Sequence, residues 1–177
     1  MPDLQRDPIV NALHNGIKRD IEVAIEHQRF RAAVILIYAG MDAMAFLDMP
    51  LEQEEVTRKD FIRWTGKYII FPCKEQLTGS DLYGARCAML HAYGVVSKLS
   101  RAGKCRMIGY IDKSVPEVRY NPLVSEDFVL VSIHALREAF FTGIDNFLIS
   151  VFADKSKAPI VEERLKLFMH MFPVPPK

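Results

Sequence analysis

Apolar residues recur every three or four positions along most of this chain, a pattern typical of helices that bury one face. The first such stretch predicts a helix over 8–27, with Pro8 in its first turn. The next stretch is apolar almost all round and predicts a central, buried helix over 29–48. Later stretches predict four more helices: 57–70, one that begins near Ser80 and ends near Tyr93, 134–153 and 159–170.

Two short apolar runs have the character of strands. They are CRMIGYID at 105–112 and FVLVSI at 128–133, and they predict two antiparallel strands with a long connection. An alternative is that the second run begins the helix that follows it. The predicted fold class is mainly α, a helical bundle with a small antiparallel β-hairpin. The absence of a linker or repeat predicts a single domain over 1–177, with a loose tail at 172–177.

Charge and cysteine usage narrow the class of protein. The formal net charge is +1, which argues against a chain-wide basic surface for nucleic acid but leaves room for a local basic groove. Three cysteines at unrelated spacings suggest neither a disulfide framework nor a zinc knuckle. The polar N-terminus does not resemble a signal peptide, so we expect a reducing, cytoplasmic location.

The apolar run at 32–41 is the stretch that most resembles a membrane span. It is shorter than the roughly 20 apolar residues that a spanning helix needs, and Asp42 follows it directly. A buried core helix is therefore predicted, with no membrane association.

Common signatures of cofactor and metal chemistry are missing from the sequence. It has no GxGxxG or GxxxxGK[ST] loop, no HExxH motif and no GxSxG elbow. Its five histidines do not cluster at ligand spacing. We therefore predict no cofactor and no metal site.

The unusual feature is a cationic and a titratable side chain inside an apolar helix. Residues 82–93 read LYGARCAMLHAY, with Arg86 on one apolar stripe and His91 on another. A buried guanidinium is costly without a partner, so Arg86 must meet an anion or reach a crevice. Arginine can grip a phosphate, and a neutral histidine can take up or return a proton near neutral pH. Together they suit cleavage of a phosphodiester beside a 2′-hydroxyl.

The R-x4-H spacing of Arg86 and His91, set within LYGARCAMLHAYG, resembles the signature of HEPN domains (higher eukaryotes and prokaryotes nucleotide-binding). The upstream IYAGMDAMAFL is similar to the second core helix of some members. The resemblance implies an up-and-down bundle that forms a homodimer with a composite site. It further implies a metal-independent endoribonuclease of the toxin or defence type, in which Arg86 and His91 are the catalytic residues.

Other side chains are predicted to support this site. Tyr83 shares a helix stripe with His91 and is expected to line the site, and Asp42 is expected to orient Arg86 or His91. Cys87, where active members often carry a polar residue, is expected to pack rather than react. The basic stretch Lys98, Arg101, Lys104 and Arg106 either follows an RNA backbone or forms a solvated loop.

Two functions remain open at this stage. The leading one is an endoribonuclease that cleaves single-stranded RNA. The alternative is an inactive HEPN-like module that binds a partner protein, such as an antitoxin, or a nucleotide. In that case Arg86 forms a structural ion pair with Asp42, or with Asp81 as a second candidate. His91 packed beneath apolar side chains would favour the module, and a crevice lined by both copies of Arg86 and His91 would favour the enzyme.

Overall fold

The computed structural model describes residues 7–168, and these fold into seven helices and one three-stranded sheet. The mainly helical prediction is confirmed. We number the helices in chain order: α1 (8–26), α2 (Phe30–Leu47), α3 (Arg58–Tyr68), α4 (Gly79–Ala92), α5 (Lys98–Arg101), α6 (Ile133–Ala153) and α7 (Lys157–Leu165). The last predicted helix therefore ends earlier than expected. The predicted loose tail at 172–177 lies outside the described residues.

Helix α1 is not uniform. It begins as an α-helix at Pro8–Asn11, widens to a π-helix over Ala12–Lys18 and returns to α-helix over Arg19–Glu26. The side chain of Asp7 caps its start by accepting hydrogen bonds from two backbone N–H groups. Its buried apolar side chains, Ile9, Leu13 and Ile21, are among those that the apolar spacing predicted to face inward.

Helix α2 lies at the centre of the helical part, as its composition predicts. Its 18 residues and its mean hydropathy of 1.6 make it long enough and apolar enough to cross a membrane. Half of that stretch, however, is buried inside the fold. It packs into an apolar core with Trp64 of α3, which is fully buried and lies edge-on to the rings of Phe140 and Phe147 from α6.

The sheet corrects the predicted antiparallel pairing. Strand β1 (Met107–Ile111) pairs with β3 (Phe128–Ser132) in parallel, from Met107 opposite Phe128 to Ile111 opposite Ser132. A short strand, β2 (Val118–Tyr120), pairs antiparallel with the other edge of β3. The connection over 112–127 is long enough to carry the chain back for a parallel pair, which a tight hairpin cannot do. The second apolar run is a strand, and helix α6 begins directly after it.

Helix α4 is tied to β1 by one buried ion pair. Asp81 accepts a hydrogen bond from the backbone of Thr78, which closes a capping box at the start of α4. Its carboxylate also accepts hydrogen bonds from the backbone N–H of Arg106 at 2.8 Å and from the Arg106 guanidinium at 2.8 Å and 3.2 Å. Asp81 is therefore engaged by Arg106 and not by Arg86.

The close approach of α4 to the start of β1 requires a residue without a side chain at position 84. A β-carbon there would lie 2.3 Å from Sγ of Cys105. We expect Gly84→Ala to lower the free energy of unfolding by about 1–3 kcal/mol, the usual cost of overpacking. Gly66 in α3 offers the matched control, because a β-carbon there meets nothing within 4 Å.

Gly66→Ala should raise the stability by about 0.5–1 kcal/mol, because alanine is the better helix former. Urea denaturation of both variants measures the difference. Equal shifts for the two variants would contradict the packing that we describe at Gly84.

Candidate functional site

Arg86, His91 and Asp42 lie together at the surface between α2 and α4. Nε of Arg86 donates a hydrogen bond to Oδ2 of Asp42 at 2.8 Å, and Nη2 lies 2.8 Å from the same oxygen in the ion pair. Nη1 of Arg86 lies 3.4 Å from Nε2 of His91. Three polar residues of two otherwise apolar helices therefore form one connected group.

Helix geometry explains how the two residues of the R-x4-H motif meet. Five positions along a helix turn the side chains about 140° apart and separate them by about 7.5 Å along the axis. Arg86 has the length to bridge this separation, and the carboxylate of Asp42 on α2 holds it in the bridging position. His91 stands in the last turn of α4 and is exposed, so its imidazole is accessible.

The ion pair is only partly shielded from water, with the side chains of Arg86 and Asp42 23% and 26% exposed. Burial raises the pKa of Asp42, and the contacts with Arg86 oppose this effect without cancelling it. Burial alone would lower the pKa of Arg86, but the hydrogen bonds to Asp42 outweigh it and raise the pKa. Arg86 is thus a permanent cation held at a fixed place beside an accessible imidazole.

Asp42 engages one side of the guanidinium and leaves the other available. Nε donates to the carboxylate, Nη2 forms an ion pair with the same oxygen, and Nη1 faces His91. Because a guanidinium has five N–H donors, these contacts and the hydrogen bond with Cys87 leave at least one for an outside acceptor. Such a donor can bind an oxygen of a phosphate.

Tyr83 and Cys87 lie about two turns and one turn of α4 before His91, as their spacing predicts. The ring of Tyr83 packs edge-on to Phe61, 5.5 Å away between centroids, and beneath the Arg58 guanidinium at 5.7 Å. Burial raises the pKa of the Tyr83 hydroxyl, and the neighbouring thiol of Cys87 raises it further. Both residues are half-buried beside the site, and Cys87 forms no disulfide.

The predicted basic stretch divides into two kinds of residue. Lys98, Arg101 and Lys104 are exposed on and just after the short helix α5. Arg106 instead donates to Asp81, to Glu75 at 2.8 Å and to the carbonyl of Gln76 at 2.8 Å. Its guanidinium is therefore committed to holding the fold.

Comparisons with protein-family models, with curated proteins and with solved structures found no match. The chemistry of the site therefore stands on its own geometry. Within residues 7–168, no group of three or more His, Cys, Asp or Glu side chains is arranged to hold a metal ion.

Of two concavities in the fold, one contains a residue of the site and the other lies beyond the end of α4. A wide, mostly apolar groove of about 1080 Å³ runs between α1, α2 and α7, and Asp42 lies on its wall. A smaller cleft of about 370 Å³ lies at the end of α4, beside Tyr93, and is also lined by Arg31 and Asp112. The sequence analysis missed both, because their walls come from segments far apart in the chain.

Asp42→Asn tests how far the ion pair stabilises the fold. We expect the free energy of unfolding to fall by about 1–2 kcal/mol, less than for a fully buried pair because both side chains reach water. Urea denaturation measures the change, with Asp20→Asn on the exposed face of α1 as control. A double-mutant cycle with Arg86→Met should give a coupling energy of about 1 kcal/mol. Additive effects of the two changes would contradict the pair.

Proposed function

We propose that this protein is a metal-independent endoribonuclease that cleaves single-stranded RNA, with Arg86 and His91 as its catalytic residues. The observation that carries the proposal is the 3.4 Å separation between Nη1 of Arg86 and Nε2 of His91 at an accessible surface. A cation and a titratable imidazole at this distance can engage the same phosphodiester. The resemblance of the R-x4-H spacing to HEPN ribonucleases is consistent with this proposal.

The proposed reaction uses the 2′-hydroxyl of the RNA as nucleophile. A ring nitrogen of His91 takes the proton as the 2′-oxygen attacks phosphorus, and the guanidinium of Arg86 balances the charge that builds on the phosphoryl oxygens. The bond from phosphorus to the 5′-oxygen then breaks. In the composite site, the protonated His91 of the partner subunit donates a proton to the leaving oxygen. The products are a 2′,3′-cyclic phosphate and a 5′-hydroxyl end.

The proposal includes a homodimer in which each copy is an up-and-down HEPN-like bundle. It also includes a cytoplasmic location. The apolar groove between α1 and α2 supports the dimer, because Asp42 belongs both to its wall and to the Arg86 ion pair. A second copy seated there would bring two Arg86–His91 pairs close together. The exposed residues Lys98, Arg101 and Lys104 would then extend the surface for the RNA backbone.

The catalytic proposal is tested by incubating the protein with unstructured RNA in EDTA and analysing the ends of the products. We expect cleavage without added metal, with 2′,3′-cyclic phosphate and 5′-hydroxyl ends. The same sequence made as DNA should remain intact, because it lacks the nucleophile. Products with 5′-phosphate ends, or cleavage that EDTA abolishes, would contradict the mechanism.

The dimer is tested with Ala39→Glu, which introduces a charge at an exposed position on the wall of the groove. We expect light scattering after size exclusion to give a dimer for the wild type and a monomer for Ala39→Glu. Glu162→Ala, on an exposed face of α7, is the control and should remain dimeric. A wild-type monomer at micromolar concentration would contradict the dimer.

The binding module remains a second candidate because one specific observation favours it. Arg86 is paired with Asp42, as a purely structural role predicts. The exposure of His91 does not fit that role, because a packed histidine was expected there. A folded wild type that cuts none of a varied set of RNAs, yet binds one tightly, would favour the module.

A further inference from the structure

The smaller cleft lies on the same seam between α2 and α4 as the Arg86–His91 pair. Met89 and Tyr93 line it and stand three and seven positions after Arg86, which places all three on one face of α4. Seven residues of helix span about 10 Å, a distance that a short single strand of RNA can cover. A strand held at Arg86 can therefore reach the cleft.

The walls of the cleft are aromatic, and its volume, about 370 Å³, suits a small planar ligand. Phe30 at the start of α2, Tyr93 at the end of α4 and Tyr110 of β1 contribute the rings. The hydroxyl of Tyr110 is fixed by a 2.8 Å hydrogen bond to the buried Tyr38. Such rings are the usual platforms on which nucleobases stack.

Tyr93 adopts a backbone conformation that tyrosine rarely takes. Its φ and ψ are 52° and 29°, in the left-handed region where helices normally end on glycine or asparagine. Gly94, which carries no such restriction, is the very next residue. The strained position keeps a ring, 60% exposed, at the mouth of the cleft. Strain of this kind is concentrated at functional sites.

Two charged side chains at the cleft have no partner inside the described part of the chain. Arg31 and Asp112 are both exposed, and neither forms an ion pair or a side-chain hydrogen bond with residues 7–168. Asp112 directly follows β1, so it stands where the parallel strands β1 and β3 both end. A guanidinium suits a phosphate, and a carboxylate accepts hydrogen bonds from the amino group of a base.

From these observations we propose that the cleft is a base-binding subsite for single-stranded RNA, in which a base with an exocyclic amino group stacks on Tyr93 and donates to Asp112. Arg31 contacts the phosphate of the same nucleotide. The proposal rests on the proposed function for its RNA ligand and extends it, because it assigns the residues that choose which nucleotide lies beside the cleaved bond.

Calorimetric titration with nucleoside 5′-monophosphates, and with an uncleavable 2′-O-methyl tetranucleotide, tests the subsite without relying on cleavage. We expect CMP to bind more tightly than UMP, because only cytosine carries the amino group. Tyr93→Gly should weaken binding about tenfold or more, the usual loss for a base that no longer stacks. This variant should fold, since glycine suits the backbone conformation of position 93. Tyr93→Phe keeps the ring and should retain affinity within about twofold.

Two further variants separate the phosphate from the base. Arg31→Gln should weaken the binding of CMP but leave the binding of cytidine unchanged. Asp112→Asn should reduce the preference for CMP over UMP. Amide shifts on adding CMP should centre on Tyr93, Gly94 and Asp112. Equal affinity of wild type and Tyr93→Gly, or shifts centred elsewhere, would overturn the subsite.

The outcomes for the subsite and for the nuclease can be told apart. Binding of CMP that depends on Tyr93, in a protein that cuts no RNA, would support the subsite and contradict the catalytic proposal. Metal-independent cleavage with unchanged sequence preference and rate in Tyr93→Gly would support the catalytic proposal and overturn the subsite.

Discussion

Replacing His91 or Arg86 by alanine should abolish most RNA cleavage while leaving the fold in place. We expect His91→Ala to lower the cleavage rate about 10²- to 10⁴-fold, the usual contribution of a general acid or base. Arg86→Ala should lower it about 10²- to 10³-fold, because the charge on the phosphoryl oxygens loses its fixed donor. Single-turnover rates on a labelled single-stranded RNA in EDTA measure both effects.

The controls separate catalysis from folding. His27→Ala changes another exposed histidine, at the end of α1, and should keep the wild-type rate. Arg86→Lys keeps the positive charge beside Asp42 but loses the planar fork, so it should fold yet remain slow. Circular dichroism and oligomeric state are compared first for every variant. Wild-type rates in a folded His91→Ala would contradict the catalytic proposal.

The composite site adds a sharper expectation from His91→Ala. Because the proposed mechanism uses His91 of one copy as base and the partner's His91 as acid, a mixed dimer of wild type and His91→Ala lacks one of the two groups. Mixing the two proteins should therefore lower the wild-type activity by more than dilution alone, with the time course of subunit exchange. A fall only in proportion to dilution, after exchange is shown, would indicate that each copy works with its own pair.

Asp81→Ala should be the most destabilising single change among those we consider. It removes one partner of the Arg106 guanidinium, whose side chain is 16% exposed and keeps Glu75 as a second partner, and it also opens the capping box of α4. Loss of one member of a buried pair costs about 3–5 kcal/mol when the remaining charge has no other partner, so with Glu75 retained we expect the lower end of this range, about 3 kcal/mol. We expect urea denaturation to show a fall of this size, with Asp127→Ala, an exposed acid, as control.

The pH dependence of the free energy of unfolding should also reveal the Asp81–Arg106 interaction in the wild type. Burial would raise the pKa of Asp81, but the hydrogen bonds from Arg106 and Thr78 outweigh it and lower the pKa below 3.8. Because the folded pKa lies below the unfolded one, this carboxylate stabilises the fold above the unfolded pKa and ceases to do so as the pH falls through the folded pKa. Stability below about pH 4 should therefore depend less on pH in Asp81→Ala than in the wild type. Identical slopes would contradict the assignment.

The spacing of apolar residues was sufficient to place the long helices. The predicted 29–48, 57–70 and 134–153 agree within one or two residues with α2, α3 and α6. A helix repeats its buried face every few positions, so its own sequence carries the signal. The sequence also identified the candidate site residues Arg86 and His91, and Asp42 as a possible partner, because charged side chains are unusual in apolar helices.

Short helices and strands, and the direction in which strands pair, could not be predicted from the spacing of apolar residues. Helix α5 and strand β2 are too short to show a period, and the direction of pairing between β1 and β3 depends on the path of residues 112–127. Apolar runs of a few residues look alike whether they pair in parallel or antiparallel. The predicted antiparallel pairing was wrong for this reason.

The sequence by itself determined the helices, the central place of α2 and the unusual pair of polar residues in α4. Only the tertiary structure decided which charges meet: Asp42 with Arg86, and Asp81 with Arg106. It also decided that Tyr93 ends α4 in a left-handed conformation beside a cleft shared by four segments. The physical reason is the separation along the sequence of the residues that make contact. Periodicity reflects contacts within one helix, whereas ion pairs and clefts arise from side chains that only the packing of distant segments brings together.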